Sequence, residues 1–311
     1  MLNGGAYIPD MELKARDIII QQQPITLDSK ATLHDARNMM VRYNISRIAI
    51  VANEESNVRK IPIGIITEKD IARFLYEEAP NRRLNEIRLD EVMSTNLITA
   101  KDDDSVAYCA KLMLDNGISS VIIVTEMQKE NTAAGVFMGV ITKSDLVDAS
   151  TRTELKKVKK VSEYMTRDVF TVDEEETLLI VLMLMTDNKI SRVVVTRNKR
   201  PIGIVTTHDL LPVSSLFGIG AYGRFWTTQE KEILRRKEQR FIPSGIKNAF
   251  LVSDVMTEDP ICIPIGSKLT EAAQVMTRNR ISGLPVIEAN EDLAGILTKT
   301  DIVRSIAGFE R

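Results

Sequence analysis

Histidine and cysteine are scarce in this 311-residue chain, which holds only His34, His208, Cys109 and Cys262. Two cysteines cannot build a disulfide framework, and neither sits at a metal-ligand spacing. Two histidines leave little for a histidine-based metal site or a general-base relay. A conventional metalloenzyme and a His-dependent hydrolase therefore fit poorly. Long apolar runs are missing as well. The longest, Leu178 to Met185, has eight residues, where a membrane span takes about 20. Met1 to Asp10 lack the basic start and apolar stretch of a secretory signal. The expected location is the cytoplasm, with no membrane partner. Neither sign of charge dominates: the formal net charge of −2 exerts no global pull on nucleic acid.

What is present is the composition of a globular chain, 44% apolar and 27% charged, at a length suited to two domains rather than one core. The basic residues are segregated. Residues 151–160 hold Arg152, Lys156, Lys157, Lys159 and Lys160 against Glu154 alone. Residues 212–250 hold seven basic groups, among them Arg224, Arg235, Arg236, Lys237 and Arg240, against Glu230, Glu232 and Glu238.

Internal repetition is the strongest signal. A frame of Gly, two apolar residues, Thr, and Asp three positions later occurs four times: Gly64…Thr67…Asp70, Gly139…Thr142…Asp145, Gly203…Thr206…Asp209 and Gly295…Thr298…Asp301. An Ile-Ser pair precedes each, at Ile45-Ser46, Ile118-Ser119, Ile190-Ser191 and Ile281-Ser282. Twenty residues before those serines stand Thr26, Thr99, Thr171 and Cys262. Six residues earlier again are Met93, Met165 and Met256, with Ile20 in the first copy.

Each copy reads as a short strand, an amphipathic helix, two strands and a second helix. In the first, Leu33, Ala36, Met40 and Tyr43 recur at helical steps and predict one buried face. Apolar runs after each Ile-Ser pair, such as Ile48 to Val51, predict buried strands. The distance from the Ser to the Asp varies over 24, 26, 18 and 19 residues, so insertions such as 53–60 and 126–138 belong at a solvent-facing hairpin end. A unit of some 60 residues is marginal alone and should bury its open sheet face against a sister copy. The fold class expected is α/β of the α+β type: four β-α-β-β-α units paired into two pseudo-two-fold modules, 1–150 and 151–311. The copies span about 15–78, 88–150, 158–212 and 251–307, with an insertion at 213–250. Leu178 to Met185, apolar all round, predicts a helix buried between copies three and four or at an oligomer contact. Met39, Met40, Met183, Met185 and Met276 read as core filler.

These motifs resemble the CBS domain, and their pairing resembles the tandem arrangement often called a Bateman module. The resemblance covers nearly the whole chain, leaving out the ends and residues 212–250. It implies ligand sensing: clefts between paired domains that bind adenine nucleotides or related adenosyl ligands, with occupancy passed to a protein partner. The nucleotide would be a regulatory ligand, with no catalytic cofactor.

The residues fit that chemistry on their own terms. A Thr opening a helix exposes its hydroxyl beside free N–H groups, a ready phosphate site. An Asp one turn later can accept from both ribose hydroxyls. Thr67, Asp70, Thr142, Asp145, Thr206, Asp209, Thr298 and Asp301 are therefore the candidate ribose and phosphate contacts. Arg47 and Arg192, directly after two of the Ile-Ser pairs, could grip phosphate with a forked guanidinium; the resemblance implies the same role for this position. Ser120 and Gly283 stand there in the other copies, which argues against equal occupancy. His208 could donate to a phosphate in copy three. Gly64, Gly139, Gly203 and Gly295 remove a side chain where a flat base could approach the backbone, with Ile25, Thr26, Thr99 and Thr171 beside them.

Structural readings stand beside these. Thr-x-x-Asp is nearly a capping box. The glycines could serve helix-on-strand packing, and the arginines could be ordinary solvated charges. His34 reads as a surface residue of a helix. The 212–250 insertion is either a linker with a helix that packs on a neighbouring module, subunit or protein, or a nucleic-acid contact. The second use would combine Tyr222, Phe225 and Trp226 with the nearby basic groups. Spacing such as Glu232 to Arg236 favours a solvated helix.

The expected function is a non-enzymatic nucleotide sensor. An RNA- or ribosome-associated regulator using 151–160 and 224–247 is the alternative. CBS modules also accompany catalytic barrels, as in inosine monophosphate dehydrogenase, but a chain of this length has no room for one. The two modules can meet within one chain or across a homodimer, and the sequence leaves both open.

Overall fold

Thr32 and Asp35 show how the first unit starts its helix. The Thr32 hydroxyl and backbone N–H both donate to Asp35 Oδ2 (2.7 and 2.9 Å), and Asp35 N–H donates back to Thr32 Oγ1 (3.2 Å), a reciprocal box that satisfies donors the helix leaves unpaired. In the computed structural model, which describes residues 13–19, 25–43, 45–53, 60–71, 82–125, 135–152, 159–207, 209 and 250–308, helix α1 (Leu33–Tyr43) follows from that box. Leu33, Ala36 and Met40 are buried on its inner face, but Tyr43 is 47% exposed. Ten residues of helix carry Tyr43 about 80° off the Leu33 direction at 3.6 residues per turn. Its ring instead lies beneath the Arg42 guanidinium at 5.5 Å.

Strand β1 (Thr26–Leu27) runs parallel to β2 (Arg47–Asn53), and β2 pairs antiparallel with β3 (Lys60–Thr67). The second copy repeats this with β4 (Thr99–Lys101), α2 (Val106–Asp115), β5 (Ser120–Thr125), β6 (Val136–Thr142) and α3 (Lys143–Arg152). The third has β7 (Thr171–Val172), α4 (Leu178–Asp187), β8 (Arg192–Arg197) and β9 (Arg200–Thr206). The fourth has β10 (Thr257–Glu258), β11 (Ile263–Pro264), α5 (Leu269–Arg278), β12 (Gly283–Ile287), β13 (Leu293–Thr298) and α6 (Lys299–Ile306). Among the described residues the chain is thus mixed α/β with four small mixed sheets. Each central strand shifts register at one place, between Ile50 and Val51, Ile123 and Val124, Val195 and Thr196, and Val286 and Ile287. The residue before each shift lies opposite Gly64, Gly139, Gly203 or Gly295. Where the hairpin is shortest, Asn198 and Lys199 take positive φ of 52° and 68°, which matches the twist of the flanking strands.

The sheets have two dry faces. On one, Ile48, Ile50 and Ile66 pack under α1 with Leu33, Ala36 and Met40. On the other, Ala49 and Val51 meet Ile122 and Phe137 of the second copy, so the open face is buried against the sister unit. Leader segments are exchanged between sisters. Ser94 of copy two bridges Ile65 of copy one, Thr166 bridges Ile296, and β10 pairs with β9, which covers edges that would otherwise be open.

The modules meet through copies two and four. Helix α3 contacts α5 and α6, and α2 contacts α6. The exchange is reciprocal: Val147 lies in the core of copy four and Val303 in the core of copy two, each five residues after its motif Thr. Helix α4 packs within its own copy and on the copy-four leader. Its buried residues Leu178, Val181 and Met185 pack on β8 and β9 of their own copy and on Val252, with Val255 and Met256 of the copy-four leader beside them. The buried Met40, Met185 and Met276 are core residues.

Candidate functional site

The four Thr-x-x-Asp motifs sit where a strand hands over to a helix, and all four close the same box. Thr67 Oγ1 and N–H donate to Asp70 Oδ2 at 2.7 and 2.9 Å. The matching pairs are 2.7 and 2.7 Å at Thr142–Asp145, 2.7 and 2.8 Å at Thr206–Asp209, and 2.7 and 2.8 Å at Thr298–Asp301. One carboxylate oxygen is spent on the helix start. In copy four the other, Oδ1, accepts from Arg304 Nη1 at 3.0 Å, and Asp301 is buried while Asp70, Asp145 and Asp209 are half-buried.

Strand register sets Arg47 opposite Thr67 and Arg192 opposite Thr206, yet each arginine reaches into its sister copy. Arg47 Nη1 donates to the Ser119 carbonyl at 2.6 Å and to Ser119 Oγ at 3.0 Å, while Nη2 donates to Ser46 Oγ at 2.8 Å. Burial pushes its guanidinium down, opposed by Asp145 and Glu68. Arg192 lies against Gly283, where a β-carbon would collide with Nη1. Burial lowers it to about 10, opposed by Asp301. Each arginine thus lies at the strand end that leads into the box of its sister copy: the Ser119 carbonyl that takes Arg47 Nη1 also takes the Lys143 N–H, and Arg192 lies against Gly283, next to the Ser282 whose carbonyl takes the Lys299 N–H. Ser120 lies opposite Thr142 and Gly283 opposite Thr298 in their own copies. The two arginines are not alike, because the one side-chain hydrogen bond of Arg192 among the described residues is a long 3.4 Å contact to Ser191 Oγ.

Two lysines that sequence reasoning passed over complete the arrangement. Lys143 and Lys299 are the first residues of α3 and α6. Lys143 Nζ donates to Thr300 Oγ1 at 3.0 Å, and Lys299 Nζ donates to Ser144 Oγ at 2.9 Å, so each crosses to the other module. Burial takes Lys143 down to about 8, helped by Lys69, Arg47 and Arg192 and opposed by Asp301. Lys299 is lowered by burial, then by Arg192 and Arg47, against Asp145. Their signal in the sequence is an alternation: Thr-Lys-x-Asp in copies two and four, but Thr67-Glu68 and Thr206-Thr207 in copies one and three.

The repeated glycines admit leader residues of the sister copy. A β-carbon at Gly64 would overlap Met93 Sδ; one at Gly203 would lie 2.5 Å from Met256 Sδ. At Gly295 it would meet Thr166 O at 2.7 Å and Met165 Sδ at 2.9 Å; at Gly139 it would meet Ile19 at 3.4 Å. Beside them, Ile25 and Thr26 are half-buried, Thr99 and Thr171 exposed, and Thr26 Oγ1 accepts from Lys60 Nζ at 3.1 Å. The Met side chains thus line the strand face proposed for base approach.

His208 and residues 153–158 and 210–249 lie outside the described residues, as does Ile20. His34 is exposed next to Asn38. Among the described residues no group of His, Cys, Asp and Glu is placed to hold a metal ion, and no helix is long and apolar enough to cross a membrane. Cys109 is buried, with burial pushing its thiol up to about 12.

The CBS domain family matches residues 15–77, 89–152, 161–215 and 252–308. The protein MJ1225 of Methanocaldococcus jannaschii is 26% identical over 285 residues, covering 84% of this chain and 92% of its own. Its crystal structure, described as that of a candidate archaeal homologue of γ-AMPK, has a TM-score of 0.71 at 23% identity over 95% of this chain and all of that one. A conserved protein of Pyrococcus horikoshii has a TM-score of 0.58 at 21% identity, covering 94% of this chain and 100% of its own. The inosine-5'-monophosphate dehydrogenase of Thermoplasma acidophilum is 27% identical over 48% of this chain, but over only 24% of the enzyme. Below 25% identity the structural likenesses speak to fold.

Proposed function

Because the chain belongs to the CBS-domain family, we propose that it is a non-enzymatic regulatory protein that binds adenine nucleotides between paired copies and passes occupancy to a protein partner. AMP, ADP, ATP or a related adenosyl compound is the ligand class. The observation that carries this reading is that an arginine from one copy reaches the strand end leading into the Thr–Asp box of its sister: Arg47 donates to the Ser119 carbonyl that also takes the Lys143 N–H, and Arg192 lies against Gly283, next to the Ser282 whose carbonyl takes the Lys299 N–H. A guanidinium and a helix N-terminus converge on phosphate, and a carboxylate accepts from ribose hydroxyls. Since the ligand touches both copies at once, occupancy alters how the copies sit together, and that change is what a partner can sense.

In this reading Asp70, Asp145 and Asp209 grip the ribose, Asp301 does so only by exchanging the Arg304 contact at its Oδ1, and Thr67, Thr142, Thr206 and Thr298 bind phosphate or hold the helix start. The sensor works in the cytoplasm and has no catalytic step. Calorimetry of the full chain with AMP, ADP, ATP and S-adenosylmethionine tests the proposal. Saturable heat with at least one of them is expected, and no heat with any would end it.

A further inference from the structure

Asp301 accepts from three donors of its own copy. Thr298 Oγ1 and N–H reach Oδ2 at 2.7 and 2.8 Å, and Arg304 Nη1 reaches Oδ1 at 3.0 Å. An ionised carboxylate has about four lone-pair positions, about two on each oxygen. Thr298 fills those of Oδ2, and Arg304 takes one of the pair on Oδ1. A ribose brings two neighbouring hydroxyls, so with Arg304 in place only one of them finds an acceptor here. The Asp301 side chain is 5% exposed, a depth at which solvent does little to screen the pair.

This contact is not written into every copy. Three residues after the motif Asp stand Arg73, Asp148, Pro212 and Arg304. An ionised Asp148 has no donor to offer, and Pro212 has no polar side chain. Each module thus keeps one motif carboxylate, Asp145 or Asp209, that meets no arginine from this position.

We infer that Arg304 is an internal competitor for the ribose diol: guanidinium and ribose exchange at Asp301, which sets the copy-four cleft to a weaker affinity than its carboxylate alone would give. This rests on the nucleotide reading above and adds the residue that tunes one cleft against the others. The exchange is open to Arg304 because its side chain is 27% exposed. A guanidinium that swings outward from there is rehydrated, so no unpaired cation is left buried. The same turn of α6 carries Val303, which lies in the core of copy two, and Ser305, whose carbonyl accepts from Lys159 Nζ at 2.6 Å. Release of Arg304 therefore happens on the helical turn that joins the copy-four cleft to the other module.

Calorimetry of the full chain with adenosine, 2′-deoxyadenosine and 3′-deoxyadenosine, on wild type and Arg304→Met, tests this. Expected is adenosine binding about tenfold tighter at one cleft per chain in Arg304→Met, from the loss of one competing charged bond. The deoxynucleosides supply a readout that a purely structural arginine would not move. In wild type Arg304 already bars one hydroxyl, so removing a hydroxyl from the ligand weakens binding little at this cleft. In Arg304→Met both hydroxyls are accepted, and the preference for adenosine over at least one deoxy form should widen several-fold. Arg304→Lys, which keeps a cationic donor, should return both quantities toward wild type. Arg304→Gln gives the same comparison as methionine if a thermal melt shows that methionine impairs folding. Adenosine affinity that is unchanged or weaker in the neutral variant overturns the competitor, as does an unchanged preference over the deoxy forms. The two readings fail separately: adenosine that binds wild type and variant alike sinks the competitor alone, whereas no binding of any adenine compound by either protein sinks the sensor as well.

Discussion

Arg192 of copy three lies against the backbone of Gly283 in copy four, in space that a β-carbon would take. The glycine is thus the partner of the arginine, and the cleft depends on a residue that has no side chain. Gly283→Ala should push the flexible guanidinium aside at the cost of an off-rotamer side chain, about 0.5–1.5 kcal/mol. The expected result is a chain that melts almost as before but binds nucleotide a few-fold to about tenfold more weakly at the Asp301 cleft. Calorimetry beside a thermal melt distinguishes this from a general loss of structure. Undiminished affinity would show that Arg192 does not meet the ligand.

The carboxylates have two jobs, and substitution should separate them by site. Asp70→Ala or Asp209→Ala removes the acceptor of the helix-start box, for a stability loss of about 0.5–2 kcal/mol. It also removes the ribose acceptor, for a loss of roughly 10–100-fold in affinity at an occupied cleft. Asp301→Ala should destabilise more than Asp209→Ala, because Asp301 is buried and accepts from Arg304 at 3.0 Å as well. Urea unfolding measures the first effect and ligand titration the second. Equal stability losses at 209 and 301 would deny the Arg304 contact any weight.

Most of the architecture was legible because the repeat writes local structure. Gly-x-x-Thr-x-x-Asp fixes a strand, a box and a helix start within seven residues, all from contacts along the chain. Partner choice was not legible, because it depends on which copies meet. Nothing local says that Arg47 ends on Ser119, 72 residues away, or that Lys143 ends on Thr300, 157 residues away. The Thr-Lys alternation was readable, but its meaning needed the junction of copies two and four. Tyr43 shows the other limit, since recurrence at three- and four-residue steps drifts around the helix by its last turn. The apolar run of α4 marked burial correctly at Leu178, Val181 and Met185, but composition alone carries no address for the surface it covers.

The four glycines should respond unequally to alanine. At Gly295 the obstacle is backbone, Thr166 O at 2.7 Å, which cannot turn aside. At Gly64 and Gly203 it is a methionine thioether, which can. At Gly139 the nearest atoms are those of Ile19 at 3.4 Å, an ordinary contact. Chemical denaturation should therefore rank Gly295→Ala as the most destabilising, Gly64→Ala and Gly203→Ala next at about 1–3 kcal/mol, and Gly139→Ala near neutral. A flat series would mean that the leader segments are not held against these strands.

Stability and binding should move in opposite directions with pH. Burial takes Lys143 down to about 8 from an ordinary 10.5, so between those values the unfolded chain holds a proton that the folded chain has released. Stability then rises with pH across that window, because the unfolded state binds more protons there. The charged groups around Lys143 are Lys69, Arg47, Arg192 and Asp301. Of these Arg192, lowered to about 10, begins to contribute only at the top of the window. Phosphate binding needs the ammonium, so nucleotide affinity should fall as pH rises through about 8. Without nucleotide, the melting temperature of the wild-type chain should gain on that of Lys143→Met from pH 7.5 to 9.5, since methionine has no charge to relieve. Calorimetry in buffers of different ionisation enthalpy should register proton uptake when ATP binds at pH 8, and Lys143→Met should lose that uptake. Parallel melting curves for the two proteins across the window, with no buffer dependence of the binding heat, would remove Lys143 from the phosphate site.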